Sequence, residues 1–251
     1  MTLDDFFRQN SRAALAFSGG VDSAFLLWAG LRAGAEVWPY FVKTPFQPRF
    51  ELEDARRLCR ELGVELTVVE FDILDHRSVA ANPPDRCYRC KRRLFSLLRE
   101  RAASDGFPLL LDGTNASDEA EDRPGMRALR ELEVRSPLRE CGLTKDRIRA
   151  LSREAGLFTW DKPSYACLAT RIPAGRRIDR EDLERVEQGE ATLAALGLRD
   201  FRLRLTWGGC KLQVLESQFP LVMKRRADIL SALEADFSEV TLDLRPRVPI
   251  D

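Results

Sequence analysis

The sequence has no net charge: Lys and Arg together number 40, and Asp and Glu number 40. Proteins that grip long nucleic acid usually carry a basic excess, so nucleic acid is not the expected partner, a local patch aside. Histidine is almost missing, with His76 alone. Together with a lone Cys-x-x-Cys, that scarcity disfavours a closed zinc site. Such a site would need its fourth ligand from Cys59, Cys141, Cys210 or His76. Apolar runs of membrane-spanning length are absent. The opening Met-Thr-Leu-Asp-Asp-Phe-Phe-Arg is acidic and lacks the apolar core of a signal peptide. A cytoplasmic location is therefore expected, with no membrane partner. In that compartment six cysteines read as metal ligands, catalytic groups or core thiols before disulfides. Internal repeats and low-complexity stretches are also lacking. What remains is 251 residues, 44% hydrophobic and 32% charged, which suits a soluble globular chain with a large domain and room for a smaller one.

The chain is organised around Ala14-Leu-Ala-Phe-Ser-Gly-Gly-Val-Asp-Ser23. Leu15 to Phe17 reads as a strand buried on both faces. Ser18-Gly19-Gly20 breaks it, and from Val21 apolar residues recur at helical spacing. A strand, a Gly-Gly turn and a helix create a nest of backbone N–H groups at a helix N-terminus, which suits a phosphate. Glycine lets the backbone approach the anion closely. Asp22 sits awkwardly beside a phosphate unless it works through a divalent cation, so it implies Mg²⁺. No Gly-Lys-Ser/Thr follows, which excludes a Walker A loop, and the three-glycine dinucleotide fingerprint is absent.

The following segments alternate between strand and helix, the pattern of a parallel sheet with right-handed crossovers. Expected are a helix over 4–12, strands over 36–42, 65–71 and 108–112, and helices over 51–63, 87–102 and 145–155. Lys43 ends the second strand, and Gly113-Thr114-Asn115 follows the fourth. Ligands of open α/β sheets sit beyond strand C-termini, so these groups and the Gly-Gly loop should share one crevice. Cys59 falls on a buried helical stripe and reads as core; Cys141 receives no role. Cys87 and Cys90 sit one turn apart at a helix start and point the same way. They suit a metal, a cluster or a low-pKa redox pair. Around them Arg86, Arg89, Lys91, Arg92 and Arg93 form either a solvated face or contacts to phosphate and carboxylate. Asp118, Glu119, Glu121 and Asp122 form an acidic run of solvated type. Arg123 stands out because Pro124 and Gly125 fix the loop around it.

Prolines flank Trp160 to Gly175, which excludes one long helix and leaves Cys167 in an accessible loop. The character changes near 170–178, so the expected domains are 1–170 and 171–251. Asp179 and Asp182 look like a capping pair for a helix to Gly197. Glu190 falls on its apolar stripe and must be paired, bind a cation or face an interface. In Phe201-Arg-Leu-Arg-Leu205, Arg202 and Arg204 share one strand face. They suit an anionic ligand or salt bridges to neighbouring strands. Gly208-Gly209 turns the chain into a strand over 211–216. A helix over 220–235 and a strand around 240–244 complete a small sheet with helices on one face.

Several of these pieces, in this order, resemble the LarE-type sulfur transferases of the PP-loop ATP pyrophosphatase superfamily. They are Ser18-Gly-Gly-Val-Asp-Ser23, Cys87-Tyr-Arg-Cys-Lys91, Asp112-Gly-Thr-Asn-Ala-Ser-Asp118, Arg123-Pro-Gly125, Arg135-Ser-Pro-Leu138 and Lys162-Pro-Ser-Tyr-Ala-Cys-Leu-Ala-Thr-Arg-Ile-Pro173. Arg202-Leu-Arg204 and Val240-Thr-Leu-Asp-Leu244 extend the likeness over nearly the whole chain. The resemblance implies an α/β fold: a parallel-sheet, adenine nucleotide alpha hydrolase-like PP-loop domain with a small α+β C-terminal domain. It implies an enzyme that adenylates a carboxylate of pyridinium-3,5-biscarboxylic acid mononucleotide and converts it to a thiocarboxylate, in nickel-pincer cofactor biosynthesis. The same resemblance implies ATP bound by Ser18, Gly19, Gly20, Val21, Asp22, Ser23, Lys43, Gly113, Thr114 and Asn115. Substrate contacts are expected from Arg202, Arg204, Arg171, Lys91 and Glu190, and a homo-oligomer is expected.

The resembled family has two branches. In one, the cysteine matching Cys167 gives up its own sulfur. In the other, it joins a Cys-x-x-Cys around a [4Fe-4S] cluster. With Cys87, Cys90 and Cys167 all present, the chain looks like the cluster branch, supplied by an external sulfide donor. Three thiolates on four irons leave one iron open for a transferable sulfide. The alternatives are sacrificial donation from Cys167, a tRNA-thiolating PP-loop enzyme, and a non-catalytic nucleotide or redox sensor. Past the arginine strand the chain departs from the family's usual His-Gly and Ala-Arg-Ile-Glu pieces. It reads Thr206-Trp-Gly-Gly-Cys-Lys-Leu-Gln213, placing Lys211 and Gln213 where an arginine and a carboxylate are usual.

Overall fold

Ala13, Ala14 and Leu15 are fully buried, and a strand covered on both faces belongs at the centre of a parallel sheet. A computed structural model, which describes residues 1–118 and 124–248, places it there. The chain divides into two compact units, Met1–Asp72 with Asp85–Lys162, and Ile73–Pro84 with Pro163–Asp251. The division falls after Lys162, ahead of the 170/171 boundary expected from sequence, and residues 73–84 go with the second unit. Glu119, Glu121, Asp122 and Arg123 lie outside the described residues. Among those described, no helix is long and apolar enough to cross a membrane.

The first unit runs α1 (Leu3–Gln9), β1 (Arg12–Ala16), α2 (Val21–Arg32), β2 (Glu36–Lys43), α3 (Arg49–Leu62) and β3 (Thr67–Glu70). The short α4 (Arg77–Ala80) belongs to the second unit. The first resumes with α5 (Arg86–Ser104), β4 (Leu110–Leu111), α6 (Pro124–Glu131), α7 (Pro137–Glu140) and α8 (Lys145–Glu154). Its four strands lie in the order β3-β2-β1-β4, and every pairing is parallel. A parallel bridge from Leu111 to Arg135 adds a further step at the β4 edge. The strand order reverses at β1, which makes the C-terminal ends of β1 and β4 the switch point where such sheets bind ligands. Phe6, Phe25, Leu26, Leu58 and Ile148 pack one core around β1; Tyr40, Leu98 and Phe107 belong to another.

Two elements differ from expectation in instructive ways. β1 starts at Arg12, ahead of the apolar run. Its ladder with β2 opens at Arg12 opposite Glu36, whose side chains pair at 3.0 Å. The helix α6 reads as loop in sequence because it opens Pro-Gly, yet proline is tolerated in a first helical turn.

The second unit carries α9 (Arg180–Ala195), β5 (Arg202–Leu205), β6 (Cys210–Gln213), α10 (Phe219–Lys224), α11 (Arg226–Leu233) and β7 (Val240–Leu242). Asp179 caps α9 by accepting from the Asp182 N–H. The sheet order is β5-β6-β7, with β5 and β6 antiparallel and β6 and β7 parallel. The single helix expected over 220–235 is two. Arg225, at φ −97° and ψ 13°, closes α10 and opens α11.

A Cβ at Gly209 would stand 2.1 Å from the Glu239 carbonyl oxygen, where the parallel β6–β7 ladder begins with Cys210 N donating to Glu239 O at 2.8 Å. Gly209→Ala must therefore displace backbone, unlike a substitution that meets only a side-chain end. It is expected to lower stability by about 3 kcal/mol, read by chemical denaturation of the full chain. An unchanged midpoint would show that the close approach is not required.

Candidate functional site

The loop after β1 is held by its own atoms. Phe17 N donates to Tyr40 O at 2.8 Å, extending the sheet by one residue. Gly19 then adopts φ +69°, and a Cβ there would lie 3.1 Å from Ala55 N in α3. Both the dihedral and the close approach require glycine. The Ser18 and Ser23 hydroxyls meet at 3.2 Å, and the Ser23 hydroxyl donates to Gly20 O at 3.3 Å. Gly20 caps α2 without a side-chain bond to the helix, so no cap competes for the first-turn N–H groups facing an incoming anion.

The loop after β4 lands on the same turn. A Cβ at Gly113 would be 3.0 Å from Ser23 N and 3.3 Å from Asp22 Cβ. Asn115 donates through Nδ2 to Asp22 Oδ1 at 3.3 Å. Beneath it Asp112 is buried; its carboxylate accepts from Thr114 and, at 2.6 Å, from Ser136. Burial pushes the Asp112 carboxyl up, against those two hydrogen bonds and the Lys91 charge. Lys91 packs its side chain over Gly125. Lys43 ends β2, and its ammonium donates to Gln47 O at 2.5 Å.

Two lysines absent from the sequence-derived list reach this loop. Lys145, nine-tenths buried at the first position of α8, places its ammonium 2.6 Å from Asp22 Oδ2. Lys162 pairs with Asp54 at 2.6 Å and lies 3.4 Å from Gly19 O. Lys145 does leave a trace in sequence. A cation in a first helical turn opposes the helix dipole and calls for a counter-charge that local sequence does not name.

The six cysteines sort by environment, and none forms a disulfide. Cys59 and Cys210 are buried, and burial pushes their thiols up to about 12 and about 11. Burial also raises Cys141. Cys87 is exposed and Cys90 half-buried, as the second and fifth residues of α5 in the first unit. Cys167 is half-buried and belongs to the second unit. Among the described residues, neither unit by itself gathers three His, Cys, Asp or Glu side chains as a metal site. As donors, the thiols of Cys87, Cys90 and Cys167 fit an iron–sulfur cluster, and the buried Cys59 and Cys210 do not.

Cys167 precedes a short 3-10 turn, Leu168–Arg171, and a network of arginines fixes this loop. Arg171 is fully buried. It donates from Nε to Glu190 Oε1 at 2.8 Å, from NH2 to Glu190 Oε2 at 3.1 Å, and from NH1 to Ala166 O at 2.8 Å. Tyr165 donates its hydroxyl to the same carboxylate, and Leu203 N donates to it at 2.9 Å. Arg202 donates to Ser164 O at 2.6 Å, and Arg204 donates to Thr170 O and Gln213. Burial, with the Arg171 and Arg247 charges, lowers Arg202 to about 10. Burial likewise works to lower Arg171, but the hydrogen bonds and charge of Glu190 outweigh it and hold that guanidinium above its usual range. Of the three options open for Glu190, pairing is what these contacts form, with Arg171 as its partner. Arg202 and Arg204 also bind the Cys167 loop as well as strand neighbours. Lys211 pairs with Asp243 at 3.1 Å, and Gln213 bridges Arg204 and Asp243. Those two hydrogen bonds hold the Asp243 carboxyl down at about 2.

The family model described as "Queuosine biosynthesis protein QueC" matches residues 12–82, the span of β1, the Gly-Gly loop and the next two strands. An uncharacterized protein of Synechocystis is 36% identical over 203 residues, 80% of this chain and 76% of the relative. The pyridinium-3,5-bisthiocarboxylic acid mononucleotide synthase of Lactiplantibacillus plantarum is 30% identical over 246 residues, 97% of this chain and 89% of the relative. The chain belongs to the LarE-type sulfur transferase family. It is an enzyme of the ATP-using PP-loop class, and the loop from Ser18 to Ser23 is the stretch that marks that class.

Removing Glu190 would strand the buried Arg171 charge. Breaking a buried pair from one side costs about 3–5 kcal/mol. Glu190→Ala is expected to destabilise the second unit by about that much, while the double change Glu190→Leu with Arg171→Met recovers part of it. Thermal and denaturant melts check this, and a single variant as stable as the parent would show that the pair contributes nothing.

Proposed function

We propose that this protein activates a carboxylate of pyridinium-3,5-biscarboxylic acid mononucleotide with ATP and converts it to a thiocarboxylate. The observation that carries this reading is the likeness, over 97% of the chain, to a relative named for that bisthiocarboxylic product. Backbone N–H groups from Gly19 to Ser23 would bind the β- and γ-phosphates, with Lys43 and Gly113 to Asn115 bordering the nucleotide. Asp22 would address Mg²⁺ on those phosphates. A carboxylate oxygen of the substrate attacks the α-phosphorus. The α–β P–O bond breaks, and pyrophosphate leaves with the bonding electron pair. The resulting acyl-adenylate is open to sulfur at its carbonyl carbon, with AMP as leaving group.

Cys87, Cys90 and Cys167 would hold a [4Fe-4S] cluster, and such a cluster, when bound, supplies an open iron on which sulfide can be delivered. This requires the two units to bring their thiols together. Arg171 and Glu190 keep the Cys167 loop in one shape, while Lys91, Arg202 and Arg204 supply the positive field for the substrate's phosphate and carboxylates. An external sulfur donor and a homo-oligomeric assembly belong to the same proposal.

Anaerobic purification with iron and acid-labile sulfide counts tests the reading. The expected outcome is a brown protein carrying about four irons, with both iron and multiple-turnover thiolation lost in Cys90→Ala. A colourless protein that thiolates its substrate once and loses the Cys167 sulfur would replace the cluster with sacrificial donation.

A further inference from the structure

The Lys145–Asp22 pair sits at an unusual junction. Each residue lies in the first turn of its helix, Asp22 in α2 and Lys145 in α8. The carboxylate is at home there, and the ammonium is not. Burial makes an uncompensated ammonium costly, and the 2.6 Å contact with Asp22 Oδ2 offsets it. Yet Asp22 belongs to the phosphate-binding loop, and Asn115 already occupies its other oxygen. A divalent cation arriving with ATP needs the oxygen that Lys145 holds. Ammonium and metal, both cations, repel each other when both sit at contact distance from Oδ2. The ammonium has three donors on a flexible stem, and the incoming anion is the partner that replaces the one it loses.

We propose that Lys145 exchanges Asp22 for the β-phosphate of ATP when Mg²⁺ binds, and that it neutralises pyrophosphate as the α–β bond breaks. This rests on the adenylation reading and names a leaving-group ligand within it. The lysine keeps its proton throughout. The electron pair of the breaking P–O bond stays on the departing pyrophosphate oxygen, and the Lys145 ammonium donates a charge-assisted hydrogen bond to that oxygen. In the empty enzyme the same ammonium satisfies Asp22, so no carboxylate charge is left unpaired at the mouth of an anion site.

Calorimetric titration of the full chain with Mg²⁺–pyrophosphate, metal-free pyrophosphate, ATP and AMP tests the exchange. In Lys145→Met, affinity for Mg²⁺–pyrophosphate is expected to fall about tenfold or more, with AMP affinity held within about twofold. In Asp22→Asn, affinity for metal-free pyrophosphate is expected to rise, because the ammonium is released, and the benefit of Mg²⁺ to disappear. The rise should vanish in Asp22→Asn with Lys145→Met. A folded Lys145→Met that binds Mg²⁺–pyrophosphate as the parent does would overturn the proposal. So would a gain that persists in the double variant. Should Lys145→Met not fold, Asp22→Asn decides alone, and the absence of any rise would overturn the exchange. A parent protein that binds neither ATP nor Mg²⁺–pyrophosphate would instead remove the adenylation reading itself.

Discussion

The turn between β1 and α2 is the constraint on which the first unit depends. A strand buried on both faces must end, reverse into a helix and leave its amides open, all against the backbone of α3. Only a residue without a Cβ fits at Gly19, where the dihedral is left-handed and Ala55 N would stand 3.1 Å from any side chain. Once that turn forms, the first-turn amides of α2 point outward, the β4 loop settles on Ser23, and the switch point of the sheet becomes a crevice for an anion.

Buried charge shapes both units, and the same physics serves two ends. In the second unit Arg171 and Glu190 are locked together, with the Ala166 carbonyl and Leu203 N completing their bonds. Such a pair adds little net stability over apolar packing, but neither half tolerates the loss of the other. It fixes one geometry for the loop that carries Cys167. In the first unit Lys145 and Asp22 are also paired, yet at the edge of a site built for a polyanion. There the pair has an alternative set of partners, so it can part without leaving either charge bare.

The cysteines follow a related logic. Burial raises the pKa of a thiol by disfavouring the thiolate, and thiolate is the form that binds metal. Cys59 and Cys210 are disfavoured as metal ligands in this way, and burial also raises the half-buried Cys141, whereas Cys87 is exposed and Cys90 and Cys167 are half-buried.

The sequence by itself determined the parallel sheet, because apolar runs alternating with helical periodicity leave few other folds. It also determined the phosphate loop, whose Gly-Gly turn between strand and helix is a local signal. Cys59 in the core and Glu190 on a buried stripe were legible for the same reason: helical spacing assigns a face. Tertiary structure alone decided what those buried groups touch. Asp22 and Lys145 are separated by most of the first unit's length, and no periodicity links them. That Arg171 bonds Glu190 and that Arg202 bonds the Ser164 carbonyl could not be read from sequence, since a guanidinium carries no mark of its partner. The start of β1 at Arg12 was likewise set by ladder pairing, opposite Glu36. Local patterns encode burial and chain direction; the pairing of charges is settled only when distant segments meet.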